Sequence, residues 1–213
     1  MNALCRELDD SGTAQATPPG GWGPWVDGGV NLTVQGVRVD FIYRELGRVR
    51  QSVEDAQAGR ISLHAQTGHP HGIHGHHYAA ELATCRVLSG PLGRLEAWKA
   101  SLRPYPDALR VALIAHYGWQ SGFWLDGFAA KGIKRGDLAY IQGCTFRAVT
   151  AMVQMLCAQA GVWLTNEKGA LALASAVPGA PAEFADRVGA ALSVSDLDAL
   201  RTLSRENAEP GER

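Results

Sequence analysis

The chain has 213 residues, 46% of them hydrophobic and 19% charged, with a formal net charge of −1. That length holds one large domain or two small ones, and the apolar share is ample for a packed core. A charge so near zero excludes a general nucleic-acid or membrane-surface binder. No apolar run reaches membrane-spanning length, and Met1 to Asp10 lacks the apolar core of a signal peptide. Cys5, Cys85, Cys144 and Cys157 show no CxxC spacing, and three of the four lie in apolar, helix-like stretches. Buried free thiols in a soluble, cytoplasmic protein are therefore expected.

Leu4 to Leu8 reads as the end of a helix, broken at Asp9-Asp10-Ser11-Gly12, and Pro18-Pro19-Gly20-Gly21 opens a loop rich in glycine and tryptophan. From Val30 to Tyr43 the period becomes two, with Gln35-Gly36 as the hairpin turn. Val37, Val39, Phe41 and Tyr43 fall on one face, and Arg38, Asp40, Ile42 and Arg44 on the other. No other stretch reads as a hairpin, and a lone two-stranded hairpin needs something to pack against. Glu45 to Ala58 is helical and closed by Gly59, and Arg60 to Gly75 is a histidine-rich connection. Helices are expected over His76–Leu88 and Leu92–Leu102, then from an Asp107 cap to about Lys134 with breaks at Gly118 and Gly122. Asp137 to Ala160 is the longest and most apolar helix. Asn166 to Ala176, ahead of a Pro178–Pro181 linker, and two short amphipathic helices follow, the last capped by Ser193 or Ser195. The fold class expected is α+β: a partial sheet domain over 1–60, a helical domain over 61–205 and a frayed tail over 206–213.

Asp40 is the first candidate for chemistry, because strands disfavour aspartate. It is either a surface acid balanced by Arg38 or Arg44, or a metal ligand or base displayed on a rigid strand. Six histidines, from His64 to His77, fall within fourteen residues. Their spacing matches neither HExxH nor a Cys/His finger, and imidazoles at His69 and His71 suit phosphate contact or acid–base work in a cleft. Trp22 and Trp25 can stack on a base or pack over a sheet edge, while Trp98, Trp119, Trp124 and Trp163 are expected in the core. Arg147, within the long apolar helix, either snorkels to the surface or points at a cavity. Lys168 stands near a helix start, where phosphate binding is favourable.

The segments Pro18–Gly29, Val39-Asp40-Phe41-Ile42-Tyr43-Arg44, Gly68-His69-Pro70-His71-Gly72 and Asn166-Glu167-Lys168-Gly169 together resemble a bacterial nucleotidyltransferase-domain family of the polymerase-beta-like superfamily, over about Leu4 to Val177. The resemblance implies transfer of a nucleoside monophosphate from a nucleoside triphosphate to a hydroxyl of a small molecule or protein. It also implies magnesium, held by an Asp-x-Asp pair and a third strand acid, with a Gly-Ser helix start on the triphosphate. By position Asp40 corresponds to the third acid, and Lys168, Arg147, His69 and His71 are the candidate nucleotide or acceptor contacts. No Gly-Ser or Asp-x-Asp element precedes Asp40: Ser11-Gly12 is reversed, and Asp9-Asp10 closes a helix. The resemblance places both elements ahead of Met1, which implies a chain incomplete as a catalyst. A non-catalytic, antitoxin-like helical module that binds a ligand or partner is the alternative, dimerising through the hairpin edge. A histidine-based metalloprotein is the third.

Overall fold

A computed structural model describes residues 2–90, 93–194 and 196–208. The fold is α+β, with two small antiparallel hairpins set among helices. In chain order the elements are α1 (Asn2–Leu8), β1 (Gly29–Val34), β2 (Val37–Ile42), α2 (Leu46–Gln57), β3 (Leu63–Gln66), β4 (His69–His74), α3 (His77–Thr84), α4 (Arg94–Ser101), α5 (Asp107–Tyr117) and α6 (Gln120–Gly122). A π-helical segment, Phe123–Ala129, then leads to α7 (Ala130–Arg135), α8 (Leu138–Ala160), α9 (Ala170–Ser175), α10 (Phe184–Val194) and α11 (Leu197–Ala208). None of these helices is long and apolar enough to cross a membrane.

The first hairpin turns at Gln35-Gly36, both at positive φ, as the sequence predicts. Val30 faces Phe41 and Leu32 faces Val39 across the ladder, so one apolar face spans both strands. Only its β1 half is covered: Val30 and Leu32 pack on Cys5 of α1, whereas Val37 and Phe41 remain exposed. Asp9 and Asp10 cap this hairpin, their carboxylates accepting the N–H groups of Thr33, Gln35 and Gly36 at 2.8–2.9 Å.

The segment expected as a mere connection holds the second hairpin, turning at Thr67-Gly68. His64 pairs with Ile73 and Gln66 with His69, which leaves Pro70, His71 and Gly72 opposite Ala65 alone. The strand therefore bulges at His71, and Gly72 takes a positive φ there. Proline and glycine at the bulge hide the period-two pattern. The tryptophan loop packs over this hairpin: Gln66 donates to the Trp22 carbonyl at 2.9 Å, and Trp25 stacks on His64 with centroids 3.6 Å apart.

α8 is the axis of the helical part. Ala148, Met152 and Leu156 face a core built with α9, α10, α11 and the π-helical segment. Ala151, Met155 and Ala158 face a second core with α2, α3 and α5. Asp137 caps α8 by accepting the Tyr140 N–H, and Gly161 closes it in the left-handed conformation.

Several boundaries differ from expectation. α3 stops at Thr84, and α4 begins at Arg94, with Leu92 outside the described residues. Pro106 rather than Asp107 is the N-cap of α5; the helix breaks at Gly118 as expected, but it runs on through Gly122 into the π-helical segment and α7, ending at Arg135. α9 starts only at Ala170, because Gly169 holds φ +76° and Asn166 accepts the Lys168 N–H in a local turn. Asp196 caps α11; Ser193 instead bonds back to the Ala190 carbonyl, and Ser195 lies outside the described residues. Residues 206–208, expected to fray, complete α11: Glu206 pairs with Arg187 at 2.7 Å and Asn207 is buried. The rest of the expected tail lies outside the described residues. Trp119 is 57% exposed rather than core, while Trp98, Trp124 and Trp163 pack against the two cores. Cys5, Cys144 and Cys157 are buried free thiols and Cys85 is exposed.

Asp27 joins the tryptophan loop to α2. Buried at φ +61°, it accepts the Glu45 N–H at 3.0 Å and Arg48 Nη1 at 2.8 Å. Asp27→Ala strips both donors and leaves a residue with a β-carbon in a left-handed conformation. It should cost about 3 kcal/mol in urea unfolding followed by circular dichroism, against about 1 kcal/mol for Asp27→Asn, which keeps an acceptor and tolerates that backbone.

Candidate functional site

A cleft of about 460 Å³ opens between the first hairpin, the second hairpin, α3 and the segment 165–168. Asp40 and Asn31, directly paired across the ladder, line its hairpin wall. His69 enters from the start of β4, Arg44, His77 and Glu81 form the floor, and Glu167 and Lys168 close the far side.

The charges in this cleft sort into paired and unpaired groups. Arg44 holds Glu81 by two hydrogen bonds of 2.6 and 2.7 Å, and His77 approaches the same carboxylate at 3.4 Å. Burial alone would raise the Glu81 carboxyl, but the bonds from Arg44 and His77 bring it down to about 2. Arg44 also lies 4.9 Å over the Tyr78 ring. This brace ties the exit of β2 to α3 and uses up the strand arginine that Asp40 was expected to share. Arg38 forms no ion pair with Asp40 either, so among the described residues Asp40 has no charged partner. Lys168 likewise stands exposed at the rim without an ion pair.

His69 is held by Glu167, whose carboxylate lies 3.1 Å from Nδ1 and is itself 10% exposed. With the proton on Nδ1 donated to Glu167, Nε2 is the free acceptor. Such a carboxylate–histidine pair fixes tautomer and ring orientation, the arrangement a general base requires. The pairing spans 98 residues of sequence, so no local spacing announces it.

His71 and Arg147 lie on the other side of His69, in a second cleft of about 470 Å³ between the β3–β4 hairpin and α8. The bulge turns His71 against Phe146, edge on at 4.9 Å. Burial lowers the readiness of His71 to take a proton, Glu167 opposes that, and Arg147 adds to it. Of the five residues singled out in the sequence, Asp40, His69 and Lys168 therefore share one cleft, and His69, His71 and Arg147 share the next.

Behind both clefts His74 and His76 are buried. The Tyr117 hydroxyl sits 3.0 Å from His74 Nδ1, and His76 is hydrogen-bonded by Gln154 of α8. His74 Nε2 and His76 Nδ1 have no protein partner. Among the described residues no group of three or more His, Cys, Asp or Glu side chains is placed to hold a metal ion. Asp40 thus supplies one carboxylate where a magnesium cage needs several, and the residues present do not fit that ion by themselves.

Residues 75–168 match a family described as a domain of unknown function (DUF4037), a stretch from the end of the second hairpin to the rim of the first cleft. The chain matches no curated protein and no solved structure.

Burial lowers His74 to about 3 and His76 to about 4, with neighbouring histidines adding to the effect. An unfolded imidazole takes up its proton near 6.5. The unfolded chain therefore binds more protons below that value, so stability is intact above about pH 6.5 and falls as pH drops toward 4. The slope is up to about 1.4 kcal/mol per pH unit for each histidine. Urea unfolding at about pH 7.5 and about pH 5.5 should show this loss, and a His74→Asn, His76→Gln double variant should flatten it. An unchanged slope in that variant would mean the two imidazoles do not carry the effect.

Proposed function

We propose that this chain is a nucleotidyltransferase-family protein of the polymerase-beta-like superfamily, whose reaction moves a nucleoside monophosphate from a nucleoside triphosphate onto a hydroxyl of a small molecule or protein, and that it carries part of that site without the Gly-Ser and Asp-x-Asp elements that complete it. The observation that carries this reading is the convergence of Asp40, His69 and Lys168 in one cleft, from three separate segments. Each of the three lies in one of the four segments on which the resemblance rests. In the reaction the acceptor oxygen bonds to the α-phosphorus while the bond to the pyrophosphate oxygen breaks. The Lys168 ammonium neutralises phosphate charge at the rim. His69 Nε2, oriented by Glu167, takes the proton from the acceptor hydroxyl. Asp40 is the carboxylate facing the phosphates. Because it lacks the further acids of a magnesium cage, no step is assigned to that metal.

A second reading, a binding module without catalysis, is favoured by one observation. β2 presents an outer strand edge with Val37, Phe41 and Ile42 exposed, a surface suited to an added strand from a partner or a second copy.

Equilibrium dialysis with each of the four nucleoside triphosphates, with and without magnesium, separates the two. The transferase reading expects binding of at least one triphosphate below about 1 mM. Lys168→Ala should weaken it about tenfold, and Asp40→Ala should remove any dependence on magnesium. Absence of binding by all four, or binding indifferent to both substitutions, sinks the transferase reading. Measured self-association that is lost in Phe41→Lys would then support the module.

A further inference from the structure

Apart from His69, the second cleft has no part in the chemistry assigned above, and its ionisable lining has a single sign. It holds Arg147, His64, His69 and His71, with no aspartate or glutamate among its walls. Its volume, about 470 Å³, is that of a small-molecule site. Arg147 forms no hydrogen bond or ion pair among the described residues, although most other arginines near the two hairpins are paired. An exposed arginine on a bare surface would mean little. Arg147 is exposed, but it stands on α8 between buried Thr145 and Ala148, with half-buried Phe146 beside it, and it lines a groove whose opposite wall is fixed.

That wall is rigid for identifiable reasons. His64 is clamped between the Trp25 ring, stacked at 12°, and the Ser62 hydroxyl 3.0 Å from Nε2. His69 is pinned by Glu167, and His71 by the bulge and the Phe146 edge. Groups held by their surroundings lose little entropy on binding, which is what makes a weak electrostatic groove a site. A guanidinium presents a planar fork matched to two oxygens of a phosphate or carboxylate, and His71 beside it supplies a further donor.

We propose that the Arg147–His71–His69–His64 cleft binds the anionic group of a small molecule, a phosphate or a carboxylate. Arg147 takes two oxygens of that group through its fork, and His71 donates to a third position. The neighbouring cleft is not needed for this, so the inference stands independently of nucleotidyl transfer. If that transfer also holds, an anion here lies next to His69, the wall common to both clefts, and marks the acceptor as an acidic molecule. Burial and Arg147 disfavour protonated His71 and Glu167 offsets them only in part, so an anion between His71 and Arg147 favours the charged form. Occupancy should therefore tighten as pH falls.

The test is calorimetric titration of the intact chain with inorganic phosphate and, separately, with succinate, at low ionic strength. Saturable binding of at least one is expected. Phosphate alone points to a phosphorylated ligand, succinate alone to a carboxylic acid, and both to oxyanions in general. Arg147→Met should weaken binding about tenfold, and Arg147→Lys should lie between the two. Arg94→Met, at an exposed position on α4, serves as the control and should bind as the wild type does. His71→Gln should retain part of the affinity and lose its pH dependence. No saturable binding of either anion, or equal binding by wild type and Arg147→Met, overturns the proposal. Circular dichroism of each variant confirms that a loss is not unfolding.

Discussion

One helix constrains everything else. α8 is shared by two cores, so its surface is divided lengthwise among three claims. Residues spaced by four from Cys144 to Leu156 face the core of α9, α10 and α11, and Ala151, Met155 and Ala158 face the core of α2, α3 and α5. The remaining strip runs through Arg147, Thr150 and Gln154, again at helical spacing. Because both flanking facets are packed, this polar strip cannot rotate away from the second hairpin. The site residues on α8 are held in direction by apolar contacts they do not make themselves. Arg147 is exposed, yet the packed facets on either side of it fix its place on the wall of the second cleft.

The histidine-rich segment follows from that arrangement. Six imidazoles crowded in sequence are dispersed in space, because strand alternation, the bulge and the turn into α3 send successive side chains in different directions. His64 stacks on Trp25, His69 meets Glu167, His71 lies beside Phe146, and His77 reaches Glu81. His74 and His76 turn inward toward Tyr117 and Gln154, where burial keeps them neutral. What reads along the chain as one cluster is a set of separate environments. Composition alone cannot distinguish the two cases, since the outcome depends on pairing register.

The parts of the fold legible in the sequence are those written in local rules. The turn at Gln35-Gly36 and the closure at Gly59 each depend on a few neighbouring residues. α8 is legible because its apolar content is dense over 23 residues. The second hairpin is not, since Pro70 and Gly72 remove the alternation that would reveal it. Asp196 as a cap, against Ser193, turns on a choice between adjacent polar residues that pattern cannot rank. For the site, Asp40, His69 and Lys168 stand out by residue type and by resemblance, and the fold brings them to one cleft. Their orienting partners, Glu167 for His69 and Glu81 for Arg44, are surface-type acids in sequence. Only the packing of α3 and the segment 165–168 against the hairpins makes them otherwise.

The electrostatics of the two clefts then differ for a structural reason. Both have the same imidazole between them, and all the carboxylates lie on one side of it. In the first cleft Glu81 is neutralised by Arg44 and Glu167 is engaged by His69, so Asp40 and Lys168 are left as free charges of opposite sign. Such a cleft can hold a ligand that carries negative charge and a bound cation together, because each finds its counterpart there. The second cleft lacks any acid, so a cation finds no partner in it and an anion does. His69 is the wall between them, so one ring closes both a cleft that holds acids and a cleft that holds none.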